Sequence, residues 1–438
     1  VRAYHRSVTV DTAARKEIVE RARQLDATDP LADARTRFVL PSHPGFTAPG
    51  AARAEARTDT PDEVVYLAGN SLGPPASGVA QRVAEAIGSQ WGQLLARAWT
   101  TCRWLELPVR IGDRIASLIG ARPGEVLVAD TTSVALAKLV GAALAAAPGK
   151  RIVVSTADNF PSDLYAAMGA AQLAGARLEV VERGELEAAL RDLESRVAVC
   201  CVTQVDFRTG ALYDVGRITR SAHEAGALML WDLCHSAGAV PVGCAEHDID
   251  LAVGCTYKYL NGGPGSPSFI YVRRDLQPEL SNPIPGWLGH RSPFDFDLDW
   301  QPAHGVRRFL TSSPPVLALA ALDAALDAFD GISIEAIREK SKRLGQLFVD
   351  VIESEPVPGL TLASPRNADE RGSQVSLSHL RATELSTAVA ERGVIGDVRP
   401  PDICRFGMSP LTLSHEQVVR AATTITTVAR DLAVTGDR

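Results

Sequence analysis

The chain has 438 residues, enough for more than one domain. Hydrophobic residues make up 46% and charged residues 22%, the balance of a globular enzyme, and the net charge of −7 argues against a nucleic-acid partner. No apolar run reaches a membrane span, the first residues lack the apolar segment of a signal peptide, and the seven cysteines have no zinc-site spacing. These features predict a cytoplasmic protein with reduced cysteines, no membrane contact and no metal site.

Residues 12–26 read as a polar amphipathic helix, and 41–61 as a loop rich in Pro, Gly and Ala. A short strand then runs into the glycine-bracketed turn Gly69-Asn-Ser-Leu-Gly73. Pro74 and Pro75 suit a helix start, and that helix is expected to continue to about Leu95. Trp91, Trp99 and Trp104 cluster here, with core or interface packing expected for at least two of them.

From Glu125 strands and helices alternate. Strands are expected at 126–129, 151–155, 178–181, 197–203, 227–231, 250–254 and 269–272, with helices between most of them. Alternation over about 150 residues means an α/β fold with a mainly parallel sheet flanked by helices. Asp130-Thr-Thr-Ser133 opens a helix, and hydroxyls at such an end suit a phosphate, although an ordinary cap run has the same composition. In Asn159-Phe-Pro-Ser-Asp163 the proline fixes the turn, so Phe160 is held at a strand's C-terminal end. No G-x-G-x-x-G or Walker sequence is present, which weakens a dinucleotide or nucleotide reading. The long segment 283–301, rich in Pro, Trp and Phe, reads as a functional loop. Beyond 311, helices at 314–329 and 334–353 lead to strands at 374–378 and 403–406, a smaller α+β unit. The expected domains are 1–75, packing with the small domain, 76–310, and 311–438.

The most informative stretch runs from Met229 to Leu260. Asp232 ends one apolar run, His235 follows three residues later, and Lys258 ends the next run between Tyr257 and Tyr259. Strand C-termini of an open α/β sheet face the ligand crevice. Each residue alone has an ordinary reading, as a helix cap, a structural histidine or a solvated lysine. Together a carboxylate, an imidazole and a lysine, followed by Gly262-Gly-Pro-Gly265, suit pyridoxal 5'-phosphate.

Several further stretches carry a family resemblance: Gly69 to Gly73, Asp130 to Ser133, Asn159 to Asp163, Asp232-Leu-Cys-His235, Tyr257 to Gly265, Gly286-Trp287, Ser313-Pro-Pro315 and Arg405-Phe-Gly407. The chain resembles the kynureninases, pyridoxal-phosphate enzymes of fold type I in the aminotransferase class V group. The resemblance implies hydrolysis of L-kynurenine to anthranilate and L-alanine in tryptophan catabolism, by a homodimer with a shared active site. It implies that Lys258 is the Schiff-base lysine and base at Cα, and that Asp232 pairs with the ring nitrogen. His235 would sit near the ring oxygen. Thr132, Ser133 and Tyr257 would bind the phosphate, with Trp287 and Ser313 reaching across the dimer. Phe160 would stack on the ring, and Asp163 and Thr203 would support its substituents. Arg405 would grip the substrate α-carboxylate, Asn70 and Ser71 would line the substrate end, and Tyr257 is a candidate proton relay.

The chain departs from bacterial members at Gln204-Val-Asp-Phe-Arg-Thr-Gly210, where His-Val-Asn-Tyr-Arg-Thr-Gly is usual. No histidine lies near Trp99, where members favouring 3-hydroxykynurenine carry one, so unsubstituted kynurenine is expected, with 3-hydroxykynurenine or another ring-substituted kynurenine left open. A cysteine desulfurase-like lyase needs a cysteine on a mobile loop of the second domain. Cys404 is the sole cysteine there and falls in an expected strand.

Overall fold

The computed structural model describes residues 12–41 and 64–436, so nearly all of the expected 41–61 loop lies outside the described residues. Along the chain the strands are β1 (Val65–Tyr66), β2 (Val126–Val128), β3 (Ile152–Thr156), β4 (Arg177–Val181), β5 (Val197–Thr203), β6 (Leu228–Asp232), β7 (Leu251–Gly254), β8 (Phe269–Val272), β9 (Thr361–Leu362), β10 (Gln374–Ser378), β11 (Val394–Ile395), β12 (Asp397–Arg399) and β13 (Ile403–Gly407). They fall into two units, one of Leu72–Phe207 with Leu212–Glu335, the other of Val1–Ser71, Arg208–Ala211 and Ala336–Arg438.

The larger unit holds a seven-stranded sheet in the order β2-β8-β7-β6-β5-β3-β4. The pairs joining β4, β3, β5, β6 and β7 are parallel, while β8 runs antiparallel to both β7 and β2. Every residue of β5 and β7 is buried, as parallel strands covered on both faces require. Leu136, Leu139 and Val140 of the helix Thr132–Ala146 join Val199, Leu230 and Val253 of the sheet in one core.

The sequence boundary at 310 falls too early. Helix Val316–Leu326 packs on the helices Val79–Glu85 and Leu107–Ile119 of the larger unit. Its buried Asp323 accepts from Arg82 Nη1 at 2.9 Å, Arg110 Nη2 at 3.1 Å and Arg114 Nη1 at 3.0 Å. Three cations on one buried carboxylate hold this helix to the larger unit, which continues to Glu335.

The helix expected to reach about Leu95 does end there, but it is not one regular α-helix. It is regular over Val79–Glu85, widens to a π-turn over Ala86–Trp91, and is broken where Leu95 takes φ 48°. Trp99 and Trp104 pack edge to face with ring centroids 5.4 Å apart, and Trp104 donates to Gln90 Oε1 at 2.8 Å. Trp91 stays 53% exposed and joins neither.

In the smaller unit β12-β13-β10-β9 form an antiparallel sheet, and β1 pairs parallel with β11. Phe348, Val375, Phe406 and Ile425 centre its core. Asp26 caps the last helix, His415–Gly436, accepting from the His415 N–H at 2.7 Å and the Glu416 N–H at 2.9 Å. Asp26, Asp29 and His415 offer ligand atoms within 4.8 Å of one another. Lys340 Nζ already lies 2.6 Å from Asp29, so this group is a helix cap joined to an ion pair. No helix among the described residues is long and apolar enough to cross a membrane.

Candidate active site

The register of the parallel strands assembles the site. Thr203 of β5 is level with Asp232 of β6, and Asp232 with Val253 of β7, so the C-terminal ends of three strands deliver Thr203, Asp232 and the Cys255–Lys258 turn to one edge. Asp232 is 4% exposed and accepts from the Cys234 N–H at 2.9 Å, which fixes its carboxylate. Thr203 is buried and donates to the Val205 carbonyl at 3.1 Å. His235 is buried in the turn that follows Asp232.

The Lys258 turn is braced from both sides. The Asn261 N–H donates to the Lys258 carbonyl at 2.9 Å and the Gly262 N–H to the Thr256 carbonyl at 2.8 Å. Thr256 Oγ1 donates to the Pro267 carbonyl at 2.5 Å. From the other side the Gly73 N–H donates to the Tyr257 carbonyl at 2.8 Å. A Cβ on Gly73 would lie 2.1 Å from Asn261 Oδ1 and 2.3 Å from the Lys258 carbonyl oxygen, so only glycine permits this approach.

Asp163, in the first turn of helix Pro161–Leu173, is 3% exposed. Its Oδ2 is buried and meets no donor from the described residues. Burial, then the Asp232 charge, hold its carboxyl well above the usual carboxylate range, against the pull of Lys258. Phe160 precedes Pro161 in extended conformation (φ −64°, ψ 131°) and meets Phe207 edge to face at 5.1 Å. Its ring remains 39% exposed.

A thiol pair beside Lys258 escaped the sequence reading. The Cys255 N–H donates to Cys234 Sγ at 3.1 Å, and Cys255 Sγ lies 3.7 Å from the Cys234 carbonyl oxygen. Burial alone would raise the Cys255 thiol, but the Cys234 hydrogen bond, the Lys258 charge and the Tyr257 hydroxyl outweigh it and bring it to about 7. Burial lowers the Lys258 ammonium, yet Cys255, Cys234, Tyr257 and Asp232 reverse this and leave it raised. Burial, then Cys255, pushes the Tyr257 hydroxyl up to about 12.

Thr132 is the first residue of the helix Thr132–Ala146, and the Thr131 side chain makes no capping bond there. The first turn of a helix leaves its N–H groups without intrahelical partners, and Thr132 and Ser133 belong to that turn. Trp287, 38% exposed, meets Phe294 edge to face at 5.7 Å. Ser313 is exposed on the loop before helix Val316–Leu326.

The remaining predicted residues belong to the smaller unit. Arg405 of β13 is 1% exposed and is gripped by Asp397 of β12, Nε to Oδ1 at 2.6 Å and Nη2 to Oδ2 at 2.5 Å. Asn70 is fully buried, donates to Gln374 Oε1 at 2.8 Å, and keeps Oδ1 without a partner. Ser71 is half-buried, its N–H given to the Ala68 carbonyl at 2.9 Å.

The fold matches a cysteine desulfurase, CsdA of Escherichia coli, with TM-score 0.72 and 17% identity, over 92% of this chain and 98% of that one. A cysteine desulfurase of Thermococcus onnurineus matches with TM-score 0.70 and 18% identity, over 85% and 95%. With a strand-end lysine, a buried acid pair and an open helix end, this architecture defines the class of fold-type-I pyridoxal-phosphate enzymes. The family described as Kynureninase C-terminal domain is matched over residues 337–425. A kynureninase of Burkholderia pseudomallei is 42% identical over 414 residues, 93% of this chain and 94% of that protein. A kynureninase of Deinococcus radiodurans is 41% identical over 416 residues, 93% and 95%. The chain belongs to the kynureninase family.

The residues present fit the cofactor of that class. The buried Asp232 carboxylate, with the orphaned Oδ2 of Asp163 beside it, answers a ring nitrogen. The uncapped helix end beside Thr132 and Ser133 answers a phosphate, and Lys258 supplies the amine.

Proposed function

We propose that this protein uses pyridoxal 5'-phosphate to hydrolyse L-kynurenine, adding water across the Cβ–Cγ bond to give anthranilate and L-alanine. The observation that carries the reading is the meeting of Lys258 with the buried Asp163–Asp232 acid pair at the ends of β6 and β7. Bound pyridoxal phosphate supplies an electron sink for the electron pair released at the substrate Cα.

The chain's own groups do the rest. Lys258 Nζ takes the Cα proton and holds it as an ammonium, which Cys255, Tyr257 and Asp232 favour. Asp232 would pair with the ring nitrogen, with Asp163, whose carboxyl burial and the Asp232 charge hold raised, beside it. Thr132, Ser133 and the N–H groups of their helix hold the phosphate, with Phe160, Thr203 and His235 flanking the ring. The Tyr257 hydroxyl, protonated at neutral pH, donates toward the oxygen that becomes anionic when water adds to the γ-carbonyl. Arg405, aimed by Asp397, takes the substrate α-carboxylate, and Asn70 and Ser71 line the substrate end.

We place the protein in the cytoplasm as a homodimer. All seven cysteines are free, in keeping with a reducing compartment. Ile284, Trp287, Phe294, Phe296 and Leu298 expose an apolar patch on one segment, Leu298 completely. A second copy covering that patch would receive Trp287 and Ser313 beside its own cofactor.

Steady-state kinetics on kynurenine, 3-hydroxykynurenine and ring-substituted analogues, with anthranilate and alanine both measured, test the reaction. Unsubstituted kynurenine is expected to have the highest kcat/KM. Failure to form alanine from any of them overturns the assignment.

A further inference from the structure

Helix Thr132–Ala146 is apolar or neutral throughout, except for one lysine. Lys138 is 1% exposed, yet it is not idle in the core. Its Nζ donates to Asp130 Oδ2 at 2.6 Å, to Thr311 Oγ1 at 2.6 Å and to the Phe309 carbonyl at 3.1 Å. The three donors of the ammonium are thus spent, on Asp130 before the helix and on Phe309 and Thr311 far along the chain.

Both loops matter for the same reason. Asp130 begins the Asp130-Thr-Thr-Ser133 turn, and it holds φ 55°, a left-handed conformation that a side chain tolerates only when its surroundings enforce it. The enforcement comes from two sides. The Ser268 N–H donates to the Asp130 carbonyl at 3.0 Å, and Lys138 holds the carboxylate. That backbone reversal sets where Thr132 and Ser133 enter the helix. Thr311 lies two residues before Ser313 and passes the network on, donating to the Ile284 carbonyl at 3.0 Å. Ile284 leads into Gly286, where a Cβ would lie 1.9 Å from the Thr311 carbonyl oxygen. One buried ammonium therefore braces the turn of Thr132 and Ser133, the loop of Ser313 and the approach to Trp287.

We infer that Lys138 is the positioning residue of the phosphate site, clamping the Thr132–Ser133 turn to the loop that carries Ser313. This rests on the reading of those residues as the cradle of the cofactor phosphate. Lys138 touches no ligand itself; its charge is answered by Asp130, and its effect travels through the two loops. A charge-assisted hydrogen bond lost at one loop corresponds to about a ten- to hundredfold change in affinity for whatever that loop binds.

The test compares pyridoxal phosphate with pyridoxal, which lacks the phosphate, as ligands of the cofactor-free protein. Binding is followed by the visible absorbance that each aldehyde gains on Lys258. Lys138→Met removes the clamp but leaves Asp130 unpaired, so Thr311→Val serves as the milder variant, keeping the Lys138–Asp130 pair. The expected result is a roughly ten- to hundredfold loss of pyridoxal phosphate affinity in Thr311→Val, with pyridoxal affinity unchanged. Lys138→Met, if it folds, should lose at least as much in the same selective way. Equal losses for both ligands, or an unchanged ratio in Thr311→Val, overturn the positioning role. Wild-type protein that binds pyridoxal as tightly as pyridoxal phosphate overturns the phosphate site itself, a failure distinct from that of the clamp.

Discussion

Asp397 and Arg405 are level with each other on the antiparallel strands β12 and β13, and the carboxylate holds the guanidinium through two nitrogens. The fork geometry leaves Arg405 little freedom to rotate, so its direction is set before substrate arrives. Arg405→Ala should raise KM for kynurenine by roughly thirtyfold or more, the equivalent of about 2–5 kcal/mol, while pyridoxal phosphate affinity stays near wild type. Asp397→Asn should raise KM in the same direction by a smaller factor, because the guanidinium remains but is less well aimed. Loss of cofactor rather than of KM in either variant would show that Arg405 has been misassigned.

Lys258→Ala should abolish turnover of kynurenine and the visible absorbance of the lysine-bound cofactor together. Turnover retained by this variant removes the lysine from the mechanism.

The acid pair makes a more discriminating prediction. Asp163 is the carboxyl whose proton is held by burial and by the Asp232 charge, so an amide in its place resembles its native state. Asp163→Asn should therefore keep most of its cofactor affinity. Asp232→Asn should lose far more kcat, because the carboxylate proposed to meet the ring nitrogen has gone. Absorbance titration with pyridoxal phosphate and single-turnover kinetics measure the two effects. Equal damage from both substitutions contradicts the division of roles.

The part of this site that could be read in the sequence is the part encoded locally. Asp232 and Lys258 stand at the ends of apolar runs, and strands β5 and β8 have the bounds that their apolar residues predict. Phe160 is held by the proline that follows it. What escaped depends on chain segments meeting in space. Cys234 and Cys255 become neighbours because β6 and β7 are in register, and Asp397 meets Arg405 because β12 and β13 are. Lys138 did carry a local signal, a single charge in an apolar helix, but its partners Phe309 and Thr311 are far along the chain. The boundary at 335 was hidden in the same way, since the three arginines that hold Asp323 lie more than two hundred residues before it.

The exposed aromatic segment yields a test of assembly. Trp287, Phe294 and Phe296 form a chain of edge-to-face contacts at 5.7 and 6.5 Å, yet Phe296 is 75% and Leu298 101% exposed. Phe296→Asp combined with Leu298→Asp should leave the subunit folded by circular dichroism but halve its mass in sedimentation. In the proposed dimer, activity should fall with dissociation, since Trp287 and Ser313 would then be withdrawn from the partner's site. A double variant that sediments like wild type removes this patch from the interface.

At the opposite edge of the large sheet a surface hollow of about 830 Å³ is lined by His223, Asp248, Asp250 and Arg273, among others. There His223 Nε2 lies 2.7 Å from Asp250 Oδ2, while the same carboxylate accepts from the Met229 N–H at 2.7 Å and meets Arg273 at 2.9 Å. The Asp250 hydrogen bond raises the His223 imidazole above its ordinary 6.5, with burial and Arg273 opposing and Asp248 assisting. A raised folded value means that the native state binds the proton more tightly than the unfolded chain does. The stabilisation is therefore complete below pH 6.5 and is lost as the pH climbs through the raised folded value. His223→Gln keeps a hydrogen-bonding side chain but removes the titrating group. The thermal midpoint of the wild type should exceed that of the variant most below pH 6.5, and the gap should close on the alkaline side. A gap that widens with rising pH would mean that the imidazole is neutral in the folded protein and that Asp250 is neutralised by Arg273 alone.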